Sequence, residues 1–301
     1  LCGPADGGVT GMNTAAVTGA NSMLGRCLTV VLQEAGVTVI PVGRHDEAAI
    51  RLDLRTGLQS PVDVRAEWLF HCAANFADDS PEGTRENHTV NTTGCLHVLD
   101  LTERLGSRVL ISAGTLSSRQ GFDPNGMNSY GLTKAHGEEL MAWRMSQWDG
   151  RFCSLRFPQL YDTAGDCIRH QPWFGRAIAY AAQGKDLNLP ASDGPRSYMH
   201  IEDAARLMLA AATENVHGML DAVHPEMVSG EELSGLAYQI FGQGAQACIV
   251  SGKTPFRKVH YPDGAEAFRL LGVSPAISLS EGITRIRDAN TAQAFGPLDV
   301  T

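Results

Sequence analysis

A phenol and an ammonium stand four residues apart at Tyr130 and Lys134 in the segment YGLTK. On a helix, positions i and i+4 share a face. A lysine held there stabilises a phenolate and lowers a tyrosine pKa that is ordinarily about 10. Such a pair serves reactions that give a proton to an alcohol oxygen or take one from it. Near the N-terminus the segment TGANSMLG, Thr18 to Gly25, reads as a Gly-rich turn between an apolar strand and an apolar helix. Gly19 and Gly25 permit a tight backbone path and close approach of a phosphate to the helix N-terminus, where a dinucleotide pyrophosphate sits. Asn21, Ser22, Met23 and Leu24 lie between them. Ser22 takes the place where a middle glycine is usual; it still offers its N–H and adds a hydroxyl. In this order along one chain, the two motifs predict hydride chemistry on an alcohol or ketone.

These residues need a sheet and helices to bring them together, and the chain supplies the pattern. Strands are expected at Thr14–Thr18, Val37–Val42, Ile50–Leu54, Trp68–Ala74, Arg108–Ser112 and Phe152–Phe157. Helices are expected at Met23–Ala35, Glu86–Leu105 and Ser129–Trp148, the last carrying Tyr130 and Lys134. Strand-helix alternation of this kind predicts an α/β fold, a Rossmann-type doubly wound parallel sheet covered on both faces. Beyond residue 165 the pattern loosens. Helices are read at Trp173–Gln183, Glu202–Thr213 and Gly230–Phe241, with extended segments at Ser197–His200 and Gly218–Val223. The expected division is a disordered leader over 1–11, an NAD(P)-binding domain over 12–165 and a smaller interleaved C-terminal substrate lobe over 166–301. Residues 197–224 or so are expected to return to the first domain.

Three strand ends bear on the cofactor. A carboxylate at the end of the second strand would bond the ribose hydroxyls and repel a 2′-phosphate. Gly43 stands there instead, 18 residues after Gly25, and Arg44 follows it. Arginine pairs with a 2′-phosphate through its planar donors, so NADP(H) is expected ahead of NAD. Asp53 and Leu54 end the third strand, within reach of an adenine. Ala73 and Ala74 end the fourth and are small enough to let a cofactor approach.

The chain has 301 residues, 43% of them hydrophobic, and a net charge of -9. That is enough for a large core and argues against a general nucleic-acid binder. The seven cysteines are scattered, without a CxxC pair, which predicts a reduced cytoplasmic protein with no metal site. No apolar run approaches the roughly 20 residues that cross a bilayer.

Taken together, these motifs resemble the extended short-chain dehydrogenase/reductase family, in its NAD(P)-dependent epimerase/dehydratase branch. The likeness extends over nearly all of residues 14–288. It rests on TGANSMLG, Asp53-Leu54, the HCAA of His71 to Ala74, the NTTG of Asn91 to Gly94, YGLTK with Gly137 and Glu138, the LRFPQLY of Leu155 to Tyr161, and the RSYMHIED of Arg196 to Asp203. YGLTKAHGEE is especially similar to the members that act on sugar nucleotides. The resemblance implies Tyr130 as acid/base, Lys134 on the nicotinamide ribose and lowering the phenol, Asn91 supporting the active-site backbone, and Phe157 beside the cofactor. It implies Arg196 on a nucleotide diphosphate, with Gln159 where an asparagine often assists. Two features depart from the pattern. The family places a serine or threonine just after the fifth strand, and Ala113 stands there; Ser112 and Thr115 are the flanking hydroxyls that would replace it. Only 17 positions separate Ala113 from Tyr130, so the polar segment 119–128 is short and is expected to form part of a substrate lip. A dehydratase of this family carries an acidic pair directly after the catalytic hydroxyl, and here Gly114-Thr115 holds that place.

His71 reads as a core histidine and His200 as a structural one. Glu202 and Asp203 read as helix-capping, Trp143 and Trp148 as core or dimer surface. The leading expectation is an NADP(H)-dependent reductase or epimerase of a nucleotide-activated sugar, homodimeric, with hydride exchange at C4. The alternatives are a reductase of a non-sugar carbonyl, or a non-catalytic NAD(P)-binding sensor or assembly protein. Ser22 and Ala113 favour the sensor; the intact Tyr130/Lys134 pair opposes it.

Overall fold

The computed structural model describes residues 13–191 and 194–296; the expected leader over 1–11 lies outside them. Strand β1 (Thr14–Thr18) leads through helix α1 (Met23–Glu34) to β2 (Thr38–Gly43), β3 (Ile50–Asp53), β4 (Gly57–Leu58) and β5 (Trp68–His71). A helical run follows: α2 (Pro81–His88), a π-helical turn (Thr89–Thr93) and α3 (Gly94–Leu105). Then come β6 (Val109–Thr115), α4 (Ser129–Gln147), β7 (Arg151–Phe157) and β8 (Gln159–Tyr161). The remainder holds α5 (Pro172–Ala182), β9 (Leu187–Leu189), β10 (Arg196–His200), α6 (Ile201–Thr213), β11 (Gly218–Asp221), β12 (Met227–Val228), α7 (Gly230–Phe241), β13 (Ala247–Ile249), α8 (Ala265–Leu271) and α9 (Leu279–Asp288).

Eight strands form one sheet in the order β11-β7-β6-β5-β1-β2-β3-β4. Every pairing is parallel except β3 with β4 at the edge. The chain runs outward from β1 on one side, then restarts at β5 on the other. This reversal is the mark of a doubly wound Rossmann-type sheet, and ligands bind where it opens a crevice at the strand C-termini. Strand period two sorts the core. Ala15, Val17, Trp68, Phe70, Ile111 and Leu155 face α1 and α6, against Leu24, Leu28, Leu32 and Met208. Ala16, Leu69, Leu110 and Phe152 face the opposite layer, against Val98, Leu105, Met141 and Met145 of α3 and α4. Burying each of the larger aliphatic and Phe side chains among these contributes about 1.5–3 kcal/mol before entropy is counted.

A second apolar cluster binds α5, α7 and α9 around Phe174, Ile178, Leu233 and Ile283. Two small sheets flank it, β12-β10-β8 and β13-β9. Between them in sequence, α6 packs on α1 and β11 pairs with β7 as the edge strand of the large sheet.

Three boundaries differ from the sequence reading by three or more residues. The helical run begins at Pro81, not Glu86, because Ser80 caps it by accepting from Gly83 N and Pro81 occupies its first turn; proline is well placed there. Strand β5 stops at His71 instead of Ala74, where the chain turns into a loop held by side chains. Strand β6 runs on to Thr115 rather than ending at Ser112, since Ala113, Gly114 and Thr115 keep pairing with Leu155, Arg156 and Phe157.

Candidate active site

A cleft of about 760 Å³ runs along the C-terminal ends of β1, β2, β5 and β6 and on toward β8 and β10. Its first half is the Gly-rich turn. Gly19 takes φ +69° and donates to the Val42 carbonyl at 3.0 Å. A Cβ there would meet Ala73 N at 2.8 Å, and one on Gly25 would collide with the Gly19 carbonyl. Ser22 is the N-cap of α1: its hydroxyl accepts from Gly25 N at 3.0 Å. This explains serine in place of a middle glycine. The N–H groups of Met23 and Leu24 have no intrahelical partner, and they are the donors a pyrophosphate would use. Asn21, Ser22 and Met23 line the cleft, whereas Leu24 and Gly25 do not and pack beneath it as part of α1.

Arg44 lines the cleft at the end of β2, exposed and without an ion pair among the described residues. Beside it a Cβ on Gly43 would meet nothing within 4 Å, so open space stands where a carboxylate would be. Asp53 and Leu54 line the same wall; the Asp53 carboxylate accepts from Arg55 N at 2.9 Å. Ala73, Ala74 and Phe157 complete this half. The tight turn, free helix donors, exposed Arg44 and small walls fit a nicotinamide dinucleotide.

Tyr130 lines the cleft from the start of α4, whose N-cap is Asn128. Burial pushes its phenol up to about 12; the Glu138 charge acts in the same direction, and a hydrogen bond with the Thr115 side chain opposes both. Lys134 is buried one turn on. Its Nζ donates to the Ala113 carbonyl at 2.9 Å, so it ties α4 to β6, and within the chain's own groups the phenol is raised, not lowered. The two flanking hydroxyls have different fates. Thr115 lines the cleft with Tyr130, and its Oγ1 accepts from Ser117 N at 3.2 Å. Ser112 is fully buried, its Oγ unpartnered, opposite His71 and Ser154 in the sheet, and it does not reach the cleft. Ala113 packs on the apolar layer of α1 and α6 and does not line the cleft either.

Beneath Thr115 lies a polar knot. The buried Glu138 carboxylate accepts from Ser154 Oγ at 2.6 Å, from Ser118 Oγ at 3.0 Å and from Arg156 Nη2 at 2.7 Å. Gly114 makes room for it: a Cβ at this position would collide with Ser154 Oγ and lie 2.6 Å from Glu138 Oε1. Asn91 is not a cleft residue. It accepts from Asn75 N at 2.8 Å and donates to Asn75 O at 2.9 Å. Asn87, buried one turn earlier, accepts from Ala77 N at 3.0 Å and donates to Ala77 O at 3.1 Å and to Ser129 Oγ at 2.9 Å. The two asparagines therefore clasp the loop after β5 on both sides of Phe76.

The far half of the cleft joins Gln159, His170, Gln171, Arg196, Arg257 and Tyr261. Gln159 Oε1 accepts from the Tyr261 hydroxyl at 2.6 Å. Arg196 Nη2 donates to the Arg257 carbonyl, while its Nη1 is buried with no partner among the described residues. Burial, assisted by Arg169, lowers the His170 pKa. A neighbouring pocket of about 170 Å³ shares Gln159, Gln171 and Arg196 and is walled by Trp173 and Phe256, whose rings meet edge-on at 4.7 Å. The sequence reading left out His170, Gln171, Arg257, Tyr261 and Phe76. His71 is a core histidine, its Nδ1 2.7 Å from Thr18 Oγ1, and burial lowers its pKa to about 3. His200, not Glu202 or Asp203, caps α6; Glu202 and Asp203 fill its first turn.

Solved structures of similar fold include UDP-glucose 4-epimerase of Thermus thermophilus in complex with NAD, 18% identical with a TM-score of 0.73, covering 94% of this chain and 98% of that one. RMD of Pseudomonas aeruginosa complexed with NADPH has a TM-score of 0.77 at 17% identity, covering 94% of this chain and 98% of the other. UDP-glucuronic acid decarboxylase 1 of Xenopus tropicalis is 23% identical over 249 residues, which are 75% of this chain and 57% of that protein. The chain thus spans less than two thirds of the length of this curated relative. Residues 15–221, from the first buried strand to the end of β11, match the family directly. With the doubly wound sheet, the Gly-rich turn and the Tyr130/Lys134 helix at its crevice, the chain belongs to the NAD dependent epimerase/dehydratase family.

Proposed function

We propose that the protein is a cytoplasmic NAD(P)-dependent oxidoreductase or epimerase of a nucleotide-activated sugar, with exchange at C4 and Tyr130 as acid/base. The observation that supports this reading is that Tyr130 lines the same cleft as the Gly-rich turn and as Arg196, whose buried Nη1 has no partner among the described residues. A guanidinium left with an open donor in such a wall suits a diphosphate. A bound nicotinamide supplies hydride exchange with the substrate carbon. The chain's own groups handle the proton: Tyr130 gives or takes it at the substrate oxygen, and Thr115 bonds the same oxygens. Lys134 ties the helix of Tyr130 to β6 through the Ala113 carbonyl, and in this reading it is the cation for the nicotinamide ribose. In this reading residues 12–165, with the return at about 197–224, serve the cofactor, and the rest of 166–301 serves the substrate.

Arg44 beside the open Gly43 supports NADP(H) over NAD. Leu96 on α3 and Leu132 and Trp143 on α4 are exposed large apolar residues, Trp143 at 58%, and they support a homodimer through that layer. The test is to mix the protein with NADPH or NADH and a panel of keto-sugar nucleotides. Loss of nicotinamide absorbance marks a reductase, and sugar inversion without net loss marks an epimerase. Cofactor binding with neither change, over the whole panel, refutes the proposal.

A further inference from the structure

Among the described residues several large apolar side chains are strongly exposed, but only Phe76 of these lines the cleft. Its ring is 54% exposed. A single exposed apolar residue on a surface is ordinary; this one is built into place. The backbone at Asn75 and at Ala77 is gripped from below by Asn91 and Asn87 through four hydrogen bonds between 2.8 and 3.1 Å. A fifth, from Asn75 Nδ2 to Asn87 Oδ1 at 2.9 Å, closes the clasp. Two fully or nearly fully buried asparagines thus fix the only segment between them, and that segment offers an aromatic ring to the cleft. The ring stands edge-on to Tyr130, centroids 4.7 Å apart at 70°, and edge-on to His170 at 5.3 Å and 76°. Such geometry is favourable for aromatic pairs, and it holds the ring beside the phenol while leaving much of it uncovered.

We infer that Phe76 is a substrate-contact residue: one side of its ring covers Tyr130, and its uncovered part is the apolar wall for the carbon-bound hydrogens of the sugar ring that reacts there. The inference rests on the nucleotide-sugar reading and deepens it by naming the contact for the sugar as distinct from the nucleotide. A pyranose presents an apolar face of C–H groups as well as its hydroxyls, and an aromatic ring accepts that face without needing a hydrogen bond. Phe76 lies in the cleft with Tyr130, and so selects for the sugar; the diphosphate is left to Arg196.

The experiment compares UDP-glucose with UDP for binding to the full chain loaded with NADP, by calorimetry, in the wild type, Phe76→Ala and Phe76→Tyr. Because Phe76 is exposed, neither variant should disturb the fold, and unchanged NADP affinity, titrated separately into each unloaded variant, verifies this. Phe76→Ala should weaken UDP-glucose about tenfold, the effect of losing roughly 50–60 Å² of apolar contact, and leave UDP unchanged. Phe76→Tyr, which keeps the ring, should bind UDP-glucose within about twofold of wild type. Equal binding of UDP-glucose by wild type and Phe76→Ala overturns the inference alone. A parallel loss of UDP and UDP-glucose also overturns it, since the ring would then be acting on the nucleotide. If the wild type binds neither, the same comparison is made with the nucleotide sugar of the panel that it does bind; if it binds none, the nucleotide-sugar reading falls, and the inference falls with it.

Discussion

Thr115→Val separates the two hydroxyl positions that flank the family's place at Ala113. Valine keeps the shape of threonine and removes one O–H. In the wild type that hydroxyl opposes burial and the Glu138 charge, which together hold the Tyr130 phenol at about 12 against an ordinary 10.0. The net displacement favours the neutral phenol at neutral pH. Without Thr115 the phenol rises further. A phenol with a raised pKa is protonated at neutral pH, so the reductive direction, which needs a donor, keeps its proton, while the oxidative direction needs phenolate and improves as pH rises toward 12. Losing one hydrogen bond to the developing charge costs about 2.7–4 kcal/mol, a kcat lower by about 10²–10³. Stopped-flow turnover of an identified sugar nucleotide from pH 6 to 10 should show that loss for Thr115→Val, with the oxidative limb displaced to higher pH. Ala113→Ser should not raise kcat, because Ala113 packs on the α1 and α6 layer and not into the cleft. A Thr115→Val enzyme within about threefold of wild type, or a gain for Ala113→Ser, would refute the assignment.

Three further outcomes follow from the same cleft. Tyr130→Phe should bind NADPH as the wild type does and lose most turnover, about 10²-fold or more; wild-type-like turnover sinks the acid/base role. Arg44→Asp should invert the preference for NADPH over NADH, because it replaces the exposed cation with a carboxylate that repels a 2′-phosphate; fluorescence titration with both cofactors measures it, and an unchanged preference shows that another group reads the phosphate. Arg196→Ala should raise KM for the nucleotide sugar by about 10–100-fold, as expected for one charge-assisted hydrogen-bond donor of about 1.5–3 kcal/mol, with cofactor affinity unchanged; a KM that does not move refutes the diphosphate contact.

Much of the fold was legible because its rules are local. The strands alternate in sequence with amphipathic helices, and Gly19 and Gly25 are spaced as a tight turn requires, so the parallel sheet and its crevice could be read ahead of the structure. Tyr130 and Lys134 announced themselves by a helical interval. The start of the long helical run was missed because Pro81 and Gly83 look like loop residues, although Ser80 and Pro81 are also a cap and a first turn. The far half of the cleft left no comparable trace. Gln159 meets Tyr261, a partner 102 positions away, and His170, Gln171 and Arg257 share that wall with them through folding alone. No interval in the sequence encodes such a meeting. Phe76 was hidden for a related reason: its significance depends on Asn87 and Asn91, whose side chains look ordinary until they are seen gripping the loop.

Gly114 has a consequence for descent within the family. Relatives that eliminate water carry an acidic pair at the place of Gly114 and Thr115. Here the space for a side chain at 114 is already held by the Glu138 carboxylate and the Ser154 hydroxyl. A point mutation that installs an aspartate would drive a second carboxylate into a buried one, whose arginine partner, Arg156, is already committed. Acquiring that chemistry would require Glu138, Ser154 and Arg156 to change first or together, and each intermediate would leave a buried charge or donor unpaired, at about 3–5 kcal/mol for a broken buried pair. For a domain stable by about 5–15 kcal/mol, such steps consume most of the margin. The chain is therefore separated from an acidic residue at position 114 by a packing barrier under the site.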